Sequence, residues 1–518
     1  MTTTGMFGRI IIIILALSLS KEVLASRSLW TDLPAERIDS ARPNFNRSES
    51  VPNTRKLRID RPGLEALIED GISSADGIFA LELPIPDGGY RLFEFRSART
   101  MSPGLAKKFP NIRAFSGRTL GTGVASAQLE VTPGGVSVQV LASEGRWMIE
   151  PSDRADTDKV HSYFARDAKQ RDRPFQCGVT DHLGRGHGLG KESMKAEAAR
   201  RSQFTKQQRS RGSELRTYRL AVATTGEYSA HHGGTVEGAL SAVVRVINRV
   251  NGIFNSELSV GFELIDTNDE IIFTDSETDP FEGNLDTEIL IDESQKVIDE
   301  VIGPENYDIG HTFGGDGGGL ASTGPCQDGY KASAVTGGIG GDAFAVDYVA
   351  HEIGHQFNMD HTFNTNSEEC LENRVARAAF EPGAGSTIMS YNGICSPDNL
   401  SQLHLENNNS DPIFHSFSFE QGVEYVAGEG AACGVTLDTG NTHPAVDAGR
   451  RYAVPANTPV YIEGTASDSD GDYITYSWEQ RDLGPAAALT APDDGAIPLF
   501  RTYAPVAVSY THLRAHET

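Results

Sequence analysis

Hydrophobic and polar residues alternate through much of the N-terminal part of the chain, as they do in half-buried strands. Residues 77–83 and 127–131 show this period of two. Glycine-rich turns separate such segments, for example Pro133-Gly134-Gly135. The pattern predicts a β-rich region between residues 26 and 213. This β-rich region is either a segment that serves the domain after it or a self-contained β-rich binding module.

After residue 213 the hydrophobic pattern changes from a period of two to a mixture of strands and helices. Residues 217–223 predict a strand, residues 236–254 an amphipathic helix, and residues 258–265 a second strand. A strand–helix–strand succession requires a crossover and favours a mixed sheet of the α/β type. Further along, Ser418-Phe419-Glu420-Gln421 predicts a capping box at the start of a last helix.

From about residue 441 the chain consists of short apolar runs with proline and glycine turns. Residues 459–466 and 473–478 predict strands, with Trp478 as a core residue. This region resembles immunoglobulin-like or PKD-like repeat domains of secreted bacterial enzymes. Because such a sandwich needs about 100 residues, we predict a partial β-sandwich over residues 441–507. Residues 508–518 do not continue the strand pattern and are predicted to be a non-native tail, with the natural chain continuing differently.

The strongest chemical motif is H-E-x-x-H, formed by His351, Glu352 and His355, with His361 following. Residues four apart on a helix differ by about 40° in direction and about 6 Å in rise, so His351 and His355 share one face. Two such imidazoles bind zinc at about 2.0–2.1 Å, and Glu352 is placed to take a proton from water. The helix is predicted to start with Asp342 as its N-cap. A turn after the helix would bring His361 to the same ion.

Two alternatives to this zinc site follow from the residues. A bare H-E-x-x-H also occurs by chance in helices whose histidines are only solvated or capped. A carboxylate from Glu368, Glu369 or Glu372 is an alternative third ligand. The spacing of His361 favours a set of three histidines, with the fourth position open for water, and the glutamates fit a solvated surface.

The extended motif resembles that of the metzincin zinc endopeptidases, H-E-x-x-H-x-x-G-x-x-H followed by a methionine turn. Residues 386–391 supply the turn, and the resemblance implies that Met389 forms an apolar floor beneath the metal. The flanking residues 347–350 and 361–364 are most similar to the reprolysin or adamalysin-like branch, in particular its secreted bacterial members. The family glycine is Asn358 here, a residue that also tolerates the left-handed backbone conformation.

The resemblance implies further properties of this region. It implies an α/β (α+β) zincin catalytic domain with a mixed sheet and a central zinc-binding helix. An edge strand near residues 319–323 would pair with extended peptide substrates. Tyr391 is a candidate for contact with the zinc ion or a developing oxyanion, and a buried structural tyrosine is the alternative.

Five cysteines leave one unpaired if the others form disulfides. Cys326, Cys370, Cys395 and Cys433 allow two disulfides with three connectivities. Cys177 stands apart in a Cys-Gly-Val segment that resembles the cysteine switch of metalloprotease propeptides. A thiolate binds zinc strongly and would occupy the position needed by water, whereas a turn cysteine with another partner is the alternative.

The first residues and the net charge indicate the compartment and the partners. Arg9, the apolar run 10–19 and the small residues ending at Ala25 predict a cleaved secretory signal peptide rather than a membrane span. The net charge of −26 argues against nucleic acid or an anionic membrane as a partner. The acidic stretch 266–300 and the aspartates of residues 468–472 are candidate calcium ligands, with a solvated surface and an Asp-Gly turn as alternatives.

The sequence thus predicts five segments: a signal peptide (1–25), a propeptide with a basic processing linker (26–213), a catalytic domain (214–440), the partial β-sandwich (441–507) and the tail (508–518). We expect a secreted endopeptidase with one zinc ion, acting on proteins or peptides and made as a zymogen. An extracellular binding protein with an inactive zincin domain, or a zinc hydrolase acting on a small ester or amide, is the alternative. The oligomeric state is not predicted.

Overall fold

The computed structural model describes residues 29–34, 54–120, 125–143, 145–168, 177–179, 210–284, 286–315, 318–338, 341–368, 370–400, 409–455 and 458–513. The predicted signal peptide and Arg200-Arg201 of the predicted linker lie outside these residues. The chain forms two compact units, one from residues 1–98 and 111–169 and the other from residues 99–110 and 170–518. No helix among the described residues is both long and apolar enough to span a bilayer.

The first unit is a nine-stranded antiparallel sheet with the strand order β1-β2-β9-β8-β7-β6-β5-β4-β3. The strands are β1 (Trp30–Asp32), β2 (Arg55–Ile59), β3 (Ile78–Pro84), β4 (Tyr90–Ser97), β5 (Arg113–Thr119), β6 (Ala125–Thr132), β7 (Gly135–Ala142), β8 (Trp147–Pro151) and β9 (Lys159–Phe164). The α-helix α1 (Arg61–Ile72) lies between β2 and β3 along the chain. Buried aromatic and aliphatic side chains such as Phe93, Leu129 and Trp147 form its core. The predicted β-rich character of this region is confirmed, since both predicted strands are present as β3 and β6.

The second unit contains a mixed sheet with the order β10-β14-β15-β13-β11-β12. Its strands are β10 (Cys177–Val179), β11 (Glu214–Thr224), β12 (Val260–Leu264), β13 (Ile309–Gly314), β14 (Gly319–Ala321), β15 (Ala334–Gly337) and β16 (Val435–Asp438), which pairs with β11. Strands β11, β12, β13 and β15 are parallel neighbours, whereas β14 is antiparallel to β15. The predicted α/β fold with a mixed sheet is confirmed.

The helices of the second unit are α2 (Pro103–Lys108), α3 (Gly226–His231), α4 (Val236–Leu258), α5 (Thr287–Ile302), α6 (Ala350–Gln356), α7 (Cys370–Asn373) and α8 (Ser416–Ala427). The predicted capping box is wrong, because α8 begins earlier and Ser418 is buried inside it. Instead Nδ1 of His415 accepts a hydrogen bond from the backbone N–H of Phe417 at 3.2 Å. Asp342, predicted as an N-cap, is already helical, and a π-helical turn over Phe344–Val349 leads into α6.

The C-terminal residues form two short ladders. Strand β17 (Ala445–Asp447) pairs with β19 (Thr465–Ser467), and β18 (Val460–Glu463) pairs with β20 (Tyr510–Leu513). The strand predicted over residues 473–478 is reduced to a single bridge between Tyr476 and Val506, and Trp478 is only half-buried. Conversely, Tyr510–Leu513, expected to lie outside the strand pattern, pairs with β18 along its backbone. The immunoglobulin-like assignment stays a prediction.

A carboxyl group on α4 makes the stability of the second unit depend on pH. Glu257 accepts a hydrogen bond from the backbone N–H of Phe414 at 3.2 Å. Burial of this carboxyl group, with a smaller contribution from Glu479, raises the pKa of Glu257 to about 7. A raised folded-state pKa means that stability is greatest below the ordinary value of about 4.5, falls as the pH rises to about 7, and then levels.

We therefore expect Glu257→Gln to remove this pH dependence and to stabilise the protein at pH 8 by on the order of 1–3 kcal/mol. Urea unfolding of the parent and the variant at pH 5 and pH 8 measures the difference. Glu300→Gln, at an exposed position of α5, is the matched control and should leave the pH dependence unchanged. Equal pH profiles for the parent and Glu257→Gln would contradict this assignment.

Candidate metal centre

The three motif histidines are brought together by the end of α6 and the turn that follows it. His351 and His355 lie on α6, and the chain reverses at Asn358, whose φ is 63°. The predicted left-handed conformation of Asn358 is confirmed. The backbone N–H of Asn358 donates to the carbonyl oxygen of His355 at 2.8 Å, and Met359 donates to Gly354 at 3.1 Å. This turn directs His361 back towards the helix.

The Nε2 atoms of the three histidines converge. The distance from His355 Nε2 is 3.0 Å to His351 Nε2 and 3.0 Å to His361 Nε2, and the third distance is 3.3 Å. Each Nδ1 lies within hydrogen-bond distance of a backbone carbonyl, on Ile388 (2.6 Å), Met359 (2.8 Å) and Asn373 (2.8 Å) respectively. We assign the proton to Nδ1 in each ring, which leaves three Nε2 lone pairs directed at one point.

Cys177 supplies a fourth donor to the same point. Its Sγ lies 3.5, 3.6 and 3.7 Å from Nε2 of His351, His355 and His361. Around a tetrahedral zinc ion with ordinary bond lengths, N···N distances are about 3.3 Å and N···S distances about 3.6 Å. The four donors therefore fit zinc, and all four side chains are buried.

Burial sets the protonation states of these groups. It lowers the pKa of His351, with a smaller effect from His355, and so favours the neutral imidazole that a metal requires. Burial and the nearby Glu352 carboxylate raise the pKa of the Cys177 thiol. A divalent cation among these donors acts in the opposite direction and favours the thiolate.

Glu352 lies beside the donors and has the properties of a proton-transfer group. It is fully buried, and neither of its carboxyl oxygens has a nitrogen or oxygen hydrogen-bond partner among the described residues. Burial raises the pKa of Glu352, and the interaction with the Cys177 thiol opposes this change to a smaller extent. A buried carboxyl group without a structural partner is typical of a site where it serves chemistry.

Met389 packs directly against the helix that carries the histidines. A Cβ atom added at Gly354 would lie only 2.4 Å from Met389 Sδ, so a side chain at this position of α6 would displace Met389. The carbonyl oxygen of Met389 accepts a hydrogen bond from the N–H of Thr362, next to His361, at 3.0 Å. The side chain of Met389 is fully buried, as an apolar floor requires.

Tyr391 contacts both the histidines and the Cys177 segment. Its ring lies edge-on to that of His361, with centroids 4.6 Å apart. Its hydroxyl donates a hydrogen bond to the backbone carbonyl of Cys177 at 2.8 Å. In this structure, therefore, Tyr391 fixes the backbone that presents the thiol.

The carboxylates considered as alternative ligands lie elsewhere or are not described. Glu368 Oε2 accepts a hydrogen bond from the N–H of Ser396 at 2.9 Å. Glu372 is exposed on α7, and Glu369 lies outside the described residues. The histidine set is the one that the structure brings together.

Two disulfides lie near the site. They confirm the prediction that four of the cysteines pair, namely Cys326, Cys370, Cys395 and Cys433. They link Cys326 to Cys433 and Cys370 to Cys395, and Cys177 is the cysteine that takes part in neither disulfide. The second disulfide ties the region after His361 to the end of the methionine turn. The sequence alone left three pairings open.

Glu381 is a buried residue of the site that the sequence did not reveal. Its Oε1 accepts hydrogen bonds from the hydroxyls of Thr362 (2.6 Å) and Thr387 (2.5 Å). Its Oε2 accepts from the backbone N–H groups of Ser386 (2.7 Å) and Thr387 (3.2 Å). One carboxylate thus joins the residue after His361 to the start of the methionine turn.

We expect Glu381→Ala to destabilise the folded protein by about 3–5 kcal/mol, because several buried donors lose their charged acceptor. Zinc affinity should fall as well, since the backbone that orients His351 and His361 loses its link. Glu381→Gln, which keeps one oxygen, should show a smaller loss. Thermal unfolding and zinc titration of the three proteins measure both effects, and an unchanged zinc affinity in Glu381→Ala would contradict the positioning role.

Residues 214–416 match the family model described as Metallo-peptidase family M12B Reprolysin-like. Among solved structures, metalloproteinase-II from Bacteroides fragilis is similar with a TM-score of 0.38 and 7% identity, over 70% of this chain and 95% of that chain. No curated protein matches the chain. The region that carries the three histidines and the methionine turn is therefore similar to the reprolysin-like metallopeptidases.

Proposed function

We propose that this chain is a secreted zinc endopeptidase that is made as a latent zymogen. The observation that carries the proposal is the convergence of Cys177 Sγ on three histidine Nε2 atoms, beside a buried carboxyl group that has no structural partner. His351, His355 and His361 would hold the zinc ion. When bound, zinc polarises a peptide carbonyl and lowers the pKa of a water molecule.

Glu352 moves the proton in this proposal. Its carboxylate accepts a proton as water attacks the scissile carbonyl, and the same group then delivers the proton to the leaving amine. The raised pKa of Glu352, caused by burial, favours the first of these steps, because it makes the carboxylate a stronger base. Tyr391 lies close enough to the histidines to contact substrate once the Cys177 segment has left.

Extended peptides would bind along β14, whose outer edge borders the site. Strand β10, with Cys177, occupies this edge in the structure and pairs with β14 in parallel. A substrate that replaces β10 would use the same backbone groups of Gly319–Ala321. A small cleft beside His351, lined by Tyr348, Tyr391 and Ile394 among others, would accept one substrate side chain.

Latency follows from the position of Cys177. Its sulfur would take the coordination position that a catalytic zinc needs for water, and its strand covers the edge that a substrate would need. Residues 26–213 would then act as the propeptide, with Cys177 as the zymogen ligand. The two disulfides and the predicted signal peptide support an oxidising, extracellular compartment.

The alternatives have less support. An inactive binding protein has no need for a buried Glu352 without a structural partner beside three converging histidines. A zinc hydrolase for small esters or amides does not account for a strand edge that a peptide-like segment already occupies. A calcium requirement stays a prediction. Its candidate ligands are the carboxylates of Asp468, Asp470 and Asp472, whose oxygen atoms lie within 4.8 Å of one another.

Removal of the metal should abolish the activity, and zinc should restore it. After removal of residues 26–213, the protein is expected to cleave casein at internal bonds. A chelator should reduce the rate to background, and one equivalent of zinc should recover it. A folded, zinc-loaded protein without its propeptide that cuts no protein would overturn the proposed function and favour the binding-protein alternative.

A further inference from the structure

A short segment between two strands of the first unit is attached to the sheet of the second unit. Residues 99–110 belong to the second unit, although the residues before and after them belong to the first. The N–H of Leu264, at the end of β12, donates to the carbonyl oxygen of Thr100 at 2.9 Å. The N–H of Ser102 donates to the carbonyl oxygen of Leu264, also at 2.9 Å. These two bonds flank a parallel bridge between Met101 and Leu264, so the segment extends the sheet beyond β12.

Side chains strengthen this attachment. The hydroxyl of Thr100 donates to Oδ1 of Asn248 on α4 at 3.0 Å, and both residues are fully buried. Lys108, at the end of α2, forms an ion pair with Asp269 at 2.8 Å.

The same helix also contacts the loop after β12. The N–H of Gly104 donates to Oδ1 of Asp266 at 3.0 Å. Leu105 is fully buried. The contacts combine backbone pairing, apolar burial and charge, as a specific docking segment does.

The segment lies at the opposite edge of the sheet from Cys177. The sheet begins with β10 and ends with β12, so residues 100–102 and β10 cover its two outer edges. At about 4.8 Å per strand, the two attachments are separated by roughly 25–30 Å. Both come from residues that precede β11.

We propose that residues 99–110 are a second anchor of the propeptide, which keeps it bound after the linker before residue 210 is cut. A propeptide held at the β12 edge presents Cys177 to the histidines at high effective concentration, so a dissociated thiol returns. A single cut in the linker therefore leaves the enzyme latent, and release requires a further cut between residues 111 and 176. The consequence for latency rests on the proposed function, whereas the binding of the anchor does not.

The test uses the full chain with Glu352→Gln and Cys177→Ser, so that neither self-cleavage nor a zinc–thiolate bond contributes. A recognition sequence for a site-specific protease is inserted after Gly190, and the cut protein is analysed by gel filtration over a dilution series. We expect the two fragments to elute together at micromolar concentration. Separation of the fragments at that concentration would overturn the anchor.

Variants of residues 99–110 test whether the fragments stay together through the contacts described above. Lys108→Glu should raise the dissociation constant of the fragments by about 5–10-fold, and adding Asp269→Lys should restore it. Lys107→Glu makes the same charge change at the neighbouring exposed position and should have no effect. Ser102→Pro, which removes the N–H that donates to Leu264, should cause the largest increase. Dissociation constants that do not respond to Lys108→Glu or Ser102→Pro would also overturn the anchor.

A parallel experiment with Glu352 and Cys177 intact separates the two proposals. One outcome is that the two fragments co-elute after the linker cut and that the protein stays inactive once the propeptide has been removed completely. This outcome would support the anchor and contradict the proposed function. If the fragments separate immediately after the linker cut and casein is then cleaved at the full rate, the proposed function is supported and the anchor is contradicted. If both proposals hold, the fragments co-elute and the enzyme stays latent after the first cut, and activity appears after the second.

Discussion

Glu352→Gln is expected to reduce the peptidase activity of the propeptide-free protein by about 10²–10⁴-fold, the usual contribution of a general acid–base group. Glutamine has nearly the same shape but cannot accept and return the proton. Because neither the three histidine Nε2 atoms nor the carbonyl groups that hold the three Nδ1 atoms involve Glu352, zinc stoichiometry should stay at one. Casein hydrolysis and metal analysis of the same sample measure the two quantities.

The control for this prediction is Glu372→Gln, an exposed glutamate on α7. It should keep full activity and full zinc content. The variant at Glu352 should also be at least as stable as the parent, since it removes a buried carboxyl group that has no structural partner. Retention of parental activity in Glu352→Gln would remove the residue from the mechanism.

The second large effect is expected from Cys177→Ser in the uncleaved chain. A serine hydroxyl does not ionise at neutral pH and is a poor zinc ligand, so the coordination position opens to water. The backbone of β10 still pairs with β14, and Tyr391 can still donate to the carbonyl at residue 177. We therefore expect partial activation, on the order of 10- to 100-fold over the intact zymogen.

Peptide hydrolysis by the uncleaved variant, compared with the intact parent and the propeptide-free enzyme, measures this effect. Cys177→Ser combined with Glu352→Gln should show no activation, which identifies the new activity with the same site. If the single variant stays as inactive as the parent while propeptide removal activates both, latency depends on the strand and not on sulfur.

The parts of the site that sequence predicted are those that local geometry determines. Helical spacing alone places His351 and His355 on one face, and a left-handed Asn358 follows from the tolerance of that residue type. Both are present. The cysteine count predicted two disulfides, but the pairing depended on the fold, since Cys326 and Cys433 are separated by 107 residues.

Other features depend on contacts that no sequence pattern records. Glu381 acts through partners at 362 and 386–387, which only the folded turn brings together. Helix α8 starts earlier than predicted, because the imidazole of His415, and not the predicted Ser418, accepts the hydrogen bond from a backbone N–H at its start. The bridge between Met101 and Leu264 depends on the folded position of β12, which lies 163 residues further along the chain.

We propose that three histidines and one cysteine hold a single zinc ion in the latent chain. X-ray absorption at the zinc edge of the full-length, zinc-loaded protein tests it most directly. We expect three nitrogen neighbours at about 2.0–2.1 Å and one sulfur at about 2.3 Å, with the sulfur replaced by oxygen in Cys177→Ser. A spectrum of the parent without a sulfur neighbour, or one unchanged by Cys177→Ser, would contradict it.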